Sequence, residues 1–217
     1  MSGEFLVRLP LERIAVLIGP KGSTKKHIED LTGCILKIDS NNGDVVILAE
    51  EELDDPINLW KARDIVKAIG RGFSPQRAYT IMQPNYIFEI ISLREIVGTS
   101  PNALRNVRSR VIGRKGSTRN FIEQATRTYI SVYHNTVGII GELRYVEIAR
   151  TAVIRLIHGA KHSTVYNFIE RQMRELSEKK AAIWSSQSMG DYAQITDLDE
   201  LERIIFEEEK KKKEKSS

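Results

Sequence analysis

The chain has 217 residues, 41% apolar and 29% charged, with 33 Lys and Arg against 29 Asp and Glu for a net charge of +4. This composition is that of a globular chain, not a disordered one. No run of about eighteen apolar residues is present to cross a membrane as a helix. The length suits two small domains better than one large enzyme core. Met1-Ser2-Gly3-Glu4 carries no basic and apolar leader, so a cytoplasmic protein is expected. The single cysteine, Cys34, has no internal disulfide partner and reads as a small core residue among Leu31, Ile35 and Leu36.

Glu4 to Leu9 is strand-like and ends at Pro10. Leu11, Ile14, Leu17 and Ile18 then keep a helical spacing that stops at Gly19. Ser23 is the expected N-cap of a second helix, with Ile28 and Leu31 on its inner face and its end near Gly33. Cys34 to Asp39 and Val45 to Leu48 are strands around the turn at Ser40 to Asp44. After an acidic loop, Glu50 to Pro56, a third helix turns Ile57, Ala62, Ile65, Val66 and Ile69 inward and ends at Gly70-Arg71-Gly72.

Residues 74 to 85, with Pro75 and Pro84, read as a connector containing one helical turn. The series then starts again. Tyr86 to Leu93 is a strand, and the residues through Pro101 extend or precede a helix reaching Ile112. A helix from Ser117, strands at Thr128 to Tyr133 and Val137 to Ile140, and a helix from Arg144 to His158 follow. Ala62-Arg63-Asp64-Ile65-Val66 matches Ala149-Arg150-Thr151-Ala152-Val153, so a tandem repeat is expected. Thr164 to Trp184 reads as a long helix striped by Val165, Phe168, Ile169, Gln172, Met173, Leu176 and Ile183, either packed on the core or facing a partner. Residues 185 to 195 are a polar linker, Asp197 to Ile205 a short amphipathic helix, and Lys210 to Ser217 a solvated tail.

Charge is unevenly distributed. Residues 102 to 160 hold ten Lys and Arg against three acids, a net of +7, whereas residues 1 to 73 hold ten against twelve. The second half thus has the electrostatic footprint of a polyanion binder. Within it, Gly113-Arg114-Lys115-Gly116 joins two helices: glycines permit close approach and positive φ, while the cations and the amides opening the next helix favour phosphate. The first half carries Gly19-Pro20-Lys21-Gly22 at the same place.

A nucleotide-hydrolysing loop needs Gly-Lys-Ser/Thr after a strand. Here the order is Lys115-Gly116-Ser117 between helices, which disfavours that chemistry and a dinucleotide fold alike. His158 and His162 have metal-pair spacing, but Gly159 lies between them and no third ligand is evident, so neither a metal site nor a cofactor is expected. No catalytic constellation can be assigned, and the chain is read as a non-enzyme.

Helix, Gly-x-x-Gly, helix, two strands and a third helix resemble the K-homology (KH) RNA-binding module over both halves. The resemblance implies an α+β fold with two tandem type I KH domains (β-α-α-β-β-α), each a three-stranded sheet with three helices, plus a long C-terminal helix. The units are residues 1–73 and 86–160, with a linker at 74–85, the C-terminal helix at 161–184, and a polar linker and charged tail at 185–217. In such modules the loop clamps about four single-stranded nucleotides, with bases in a groove between the first helices and the middle strand. Carried onto this chain, the clamp is Gly113, Arg114, Lys115 and Gly116, flanked by Arg108, Arg110 and Arg119 as expected phosphate contacts. Val111, Ile112, Ile130 and Val132 are groove wall or core. In the first unit Gly19, Lys21, Gly22, Lys25 and Lys26 keep a contact open. Pro20 has no amide hydrogen, so this unit is read as a weaker site or a structural partner.

Two KH units with Ile-Gly-Arg-Lys-Gly-Ser-Thr in the second and a long C-terminal helix resemble, more narrowly, the Partner-of-Nob ribosome assembly factors in an archaeal form. This implies a monomer that binds small-subunit rRNA near its 3′ end, beside an rRNA-processing endonuclease and a translation initiation factor, away from membranes. An accessory RNA-binding subunit of an RNA-degradation complex and a mainly protein-docking KH scaffold are the alternatives.

Overall fold

The structure, a computed structural model, describes residues 4–49 and 55–185. Most of the acidic loop, the polar linker beyond Ser185, the amphipathic segment near 197–205 and the lysine-rich end lie outside the described residues. Strand β1 (Glu4–Arg8) buries Val7 and turns Leu6 outward, the alternation of a strand with one face on a core. Pro10 leads into α1 (Leu11–Ile18), which buries Ile14 and Leu17. A glycine loop joins it to α2 (Ser23–Thr32), closed by Gly33 in the left-handed conformation. Strands β2 (Cys34–Asp39) and β3 (Asp44–Ala49) and helix α3 (Ile57–Gly70) complete the first repeat.

Helix α4 (Pro75–Ala78) and a 3₁₀ turn over Tyr79–Met82 connect to the second repeat. That repeat consists of β4 (Tyr86–Ser92), α5 (Leu93–Val97), α6 (Pro101–Ile112), α7 (Ser117–Thr126), β5 (Tyr129–Tyr133), β6 (Thr136–Glu142) and α8 (Leu143–Ile157). Helix α9 (His162–Ser185) follows. Each repeat has an antiparallel three-stranded sheet, ordered β1-β3-β2 and β4-β6-β5. The register sets the buried pairs Leu36↔Ile47 and Ile130↔Ile139 opposite each other. Among the described residues no helix is long and apolar enough to cross a membrane.

The repeat extends to side-chain detail. Glu29 Oε1 accepts from the Leu36 amide at 2.8 Å, and Glu123 Oε1 accepts from the Ile130 amide at 2.7 Å, tying the glutamate-bearing helix of each unit, α2 or α7, to the edge strand β2 or β5. Thr32 and Thr126, both buried, turn their hydroxyls back on the carbonyls of Ile28 and Ile122.

Several expectations differ from the structure. Ser23 is the first residue of α2, not its cap; Gly22, at φ 80°, takes the cap position because the loop turns directly into the helix. Leu31 is exposed, and Thr24, Ile28 and Thr32, at four-residue spacing, form the buried stripe. Ile57 is exposed because Leu59, two residues on and about 160° round the helix, takes the inward place. The second unit carries a short helix, α5, ahead of α6, in addition to the three helices expected for each unit. Cys34 is buried, as read.

The described residues up to Glu170 form one compact unit that holds both sheets; those from Arg171 to Ser185 belong to another. Within the first, Phe73, Ala78 and Ile81 belong to the same core as α3, and Ile140 of β6 joins them. Phe73 meets Phe88 edge-on, with ring centroids 6.0 Å apart, over Gly138. A Cβ there would stand 2.7 Å from the Phe73 ring, so the glycine is the gap that admits it. The open face of the second sheet is thus covered by the end of the first unit. Val165 and Ile169 of α9 are buried, and Phe168 lies under Arg155 at 3.8 Å.

Candidate nucleic-acid interface

Helix α6 ends where the Gly113 amide bonds the Ser109 carbonyl at 2.8 Å, and the chain turns out with Gly113 at φ 76°, ψ 175°. Lys115 sits at φ 52°, a left-handed conformation a side chain rarely adopts, and Gly116 at φ 81°, ψ 8° leads into α7. Gly113 is also required by packing: a Cβ on it would lie 2.3 Å from Oγ1 of the buried Thr118. The turn leaves Arg114 and Lys115 exposed just ahead of the amides of the α7 N-terminus, where positive charge and helix dipole act together.

The first loop has the same shape. Gly19 lies at φ 71°, ψ 175°, Lys21 at φ 52° and Gly22 at φ 80°, and a Cβ on Gly19 would also fall 2.3 Å from a threonine hydroxyl, that of Thr24. Pro20 stands where the second loop has Arg114, removing one cation and one donor.

Each loop is braced from behind by a tyrosine that sequence reading missed. Tyr166 of α9 donates its hydroxyl to Thr118 Oγ1 at 3.3 Å and packs on Phe121 with centroids 4.1 Å apart. Tyr79 packs on His27 with ring centroids 4.6 Å apart, and burial raises its hydroxyl pKa above the ordinary value, which the neighbouring Thr24 partly offsets. The faint sign was the recurrence of tyrosine seven residues beyond Gly72 and Gly159.

The flanking cations divide by role. Arg119 lines a groove of ≈ 410 Å³ with Ile130, Ser131, Val132 and Tyr133 of β5. Its Nε is buried without a hydrogen bond among the described residues and lies 3.7 Å from Glu123. Arg110 donates to the Leu156 and Ala160 carbonyls at 3.1 and 2.6 Å and so ties α6 to the end of α8. Arg108 donates to the Leu104 and His134 carbonyls, tying α6 to the β5–β6 turn. Lys25 pairs with Glu29 at 3.7 Å, while Lys21 and Lys26 are exposed. Val111 and Ile130 are buried core, whereas Ile112 and Val132 are half-buried.

The first unit helps build the groove. Gly72, Phe73, Ser74 and Arg77 line it opposite β5. Ser131 Oγ donates to the Arg71 carbonyl at 2.8 Å, and Arg77 reaches Glu123 at 3.3 Å and the Tyr129 ring at 5.0 Å. Periodicity cannot reveal Arg77, because its place depends on how the units pack. Nearby, the Tyr133 hydroxyl donates to Glu12, and His134 Nε2 is 3.1 Å from the same carboxylate. Burial, and then that hydrogen bond, push the Tyr133 hydroxyl up to about 12. His158 caps α8 and His162 Nε2 lies 3.2 Å from the Arg110 carbonyl; no group of three metal-ligating side chains exists among the described residues.

Residues 87–174 match the eukaryotic-type, type I KH domain, and residues 4–54 match the KH domain. The first of these matches runs into α9, taking in Tyr166. A KH domain-containing protein of Methanocaldococcus jannaschii is 40% identical over 196 residues, 90% of this chain and 82% of that protein. The aDim2p structure from Pyrococcus horikoshii, solved in a complex with a/eIF2alpha and rRNA, is 48% identical, covers 80% of this chain and 96% of its own, and has a TM-score of 0.76. The pre-rRNA-processing protein PNO1 of Saccharomyces cerevisiae is 27% identical over 126 residues, 58% of this chain. The chain spans about half the length, 46%, of that yeast relative.

Proposed function

Because the chain belongs to the tandem KH-domain family that includes the archaeal Dim2 and eukaryotic PNO1 proteins, we propose that it binds single-stranded small-subunit rRNA during ribosome assembly. The observation that carries this reading is the exposed Arg114–Lys115 pair, raised on a glycine-flanked turn at the mouth of α7. Gly113 to Gly116 hold the phosphates of about four nucleotides. Arg119 and the β5 edge face the bases, and Ile112 and Val132 give the groove its half-buried apolar surface. Arg108 and Arg110 act chiefly by fixing α6 under the loop. In the first unit Gly19, Lys21, Gly22 and Lys25 form a weaker contact.

The rRNA segment in this proposal lies near the 3′ end; in support of an rRNA role, PNO1 is named for pre-rRNA processing and aDim2p was crystallised with rRNA and a/eIF2alpha. A translation initiation factor and a processing endonuclease are the proposed protein partners. The chain itself supplies binding without catalysis, as a cytoplasmic monomer whose units are residues 1–73 and 86–160. The test is binding of single-stranded oligonucleotides that tile the small-subunit rRNA, at two salt concentrations, by the intact protein and by Arg114→Asp with Lys115→Asp. Preference for a 3′-end segment, lost with the double change, is the expected result. Equal weak binding to every segment, indifferent to the change, would refute the clamp.

A further inference from the structure

On the edge of the first sheet opposite β2, strand β1 and helix α3 build a basic cleft that the glycine loops do not use. Arg63 and Lys67 lie four residues apart on α3, about 40° apart round the helix, and so share a face, and Arg71 follows as the residue that caps the helix. Lys67, Arg71 and Arg8 line a cleft of ≈ 270 Å³ whose walls include Leu6, Pro10 and Ile90. Counter-charge is sparse there. Arg8 lies 3.7 Å from Asp44 and Arg63 2.7 Å from Asp64, but Lys67 and Arg71 form no ion pair among the described residues.

Burial, and then the neighbouring Arg63 and Arg71, hold the Lys67 ammonium below its ordinary pKa, although Asp64 pulls the other way. That is the behaviour of a cation withdrawn from water first and set among like charges second, a position in which an anion would bring relief. The aromatic surroundings point to the kind of anion. Arg63 stacks over the rings of Phe5 at 5.1 Å and Trp60 at 4.6 Å, while Trp60 and Leu6 remain 53% and 71% exposed. Cations interleaved with exposed rings suit a single strand, whose phosphates meet the charges while its bases stack.

We propose that this cleft is a further phosphate-binding site for single-stranded RNA, separate from both glycine loops, in which Arg8, Lys67 and Arg71 hold a backbone phosphate, while Trp60, outside the cleft and two turns back along α3, offers a stacking face to the neighbouring nucleotide. Only the choice of ligand rests on the RNA-binding reading above; the cleft and its charge do not. The two readings separate by RNA length, since a short oligonucleotide fills the clamp alone and a long one reaches both.

The test compares the full chain with Lys67→Gln/Arg71→Gln and with Arg8→Gln, titrated with an oligouridine of about four nucleotides and with one several times longer. The double variant is expected to bind the long RNA about fivefold more weakly, with a log–log salt slope shallower by about 0.7 for the phosphate released. The short RNA is unaffected. Arg8→Gln, on a largely exposed side chain that cannot unfold the protein, reproduces part of the loss. Unchanged long-RNA affinity and slope in both variants would overturn the site and leave the cations to an acidic protein surface. Titration with inorganic phosphate separates the sources of the anion. Saturable phosphate binding that the double variant removes while long-RNA binding persists would assign the cleft to a small anion and overturn the proposal. If the short oligonucleotide fails to bind the intact protein, the clamp reading falls.

Discussion

In the first glycine loop Gly19, Lys21 and Gly22 hold φ values of 71°, 52° and 80°; in the second Gly113, Lys115 and Gly116 hold 76°, 52° and 81°. Both loops rest on a threonine that leaves no room for a Cβ on the leading glycine, and behind each lies a tyrosine, which hydrogen-bonds the threonine at the second loop. What separates them is Pro20 against Arg114, and the surrounding charge. The comparison teaches that a Gly-x-x-Gly pair is kept by the fold itself, the leading glycine by packing and the trailing one by its left-handed backbone. Its presence alone does not establish a phosphate contact; the cations and free donors decide that.

The comparison can be broken at its strong side first. Arg114→Asp with Lys115→Asp, which reverses two exposed charges without emptying core, should weaken RNA binding about a hundredfold, at roughly tenfold per lost phosphate contact; fluorescence anisotropy reads it, and thermal unfolding should be unchanged. Pro20→Arg should bring the weak loop towards the strong one, because the backbone angles already match and the change supplies both an amide and a cation. A gain of about fivefold in affinity is expected, in line with one added charge-assisted hydrogen bond. No gain would mean that the first loop is purely structural.

Tyr166→Phe removes a neutral hydrogen bond worth about 1 kcal/mol while keeping the ring on Phe121. It should raise the RNA dissociation constant about threefold with little change in unfolding midpoint, and Tyr79→Phe should leave RNA binding nearly unaltered. Pro20→Asp with Lys21→Asp should cost less than about twofold, measured beside the Arg114/Lys115 change.

The smallest effect concerns the contact between the units. The Tyr133 hydroxyl is raised from 10.0 to about 12, so the folded state keeps a proton that the unfolded chain releases first. The contact with Glu12 is therefore fully stabilising below pH 10 and is lost as pH rises towards 12. The unfolding midpoint should fall over that window slightly more for the intact protein than for Tyr133→Phe.

Much of the fold was legible because local signals agreed. Alternation at Cys34 to Asp39, the turn at Ser40 to Asp44 and the glycine at position 33 each mark boundaries that the structure keeps. The errors fell where spacing underdetermines facing, as at Leu31 and Ile57, where Thr32 and Leu59 take the inward places. The clamp's shape could be read from Gly113 and Gly116, since only glycine suits those positions. The roles of Arg77, Tyr166 and Arg110 could not, because each acts across a contact between segments distant in sequence.

Ile140 belongs to a core otherwise made of residues from the first unit and the connector, and Phe73 closes over Gly138 beside it. Neither sheet can therefore melt while its neighbour stays intact without exposing that seam to water. The two repeats, though they look like beads on a string when written out, should unfold together, as one transition in calorimetry. A cavity cut in the first unit, at Ile65 for example, would be felt as lost occupancy at the second loop. Natural selection on RNA binding would then act on the first unit even if no nucleotide ever touched it.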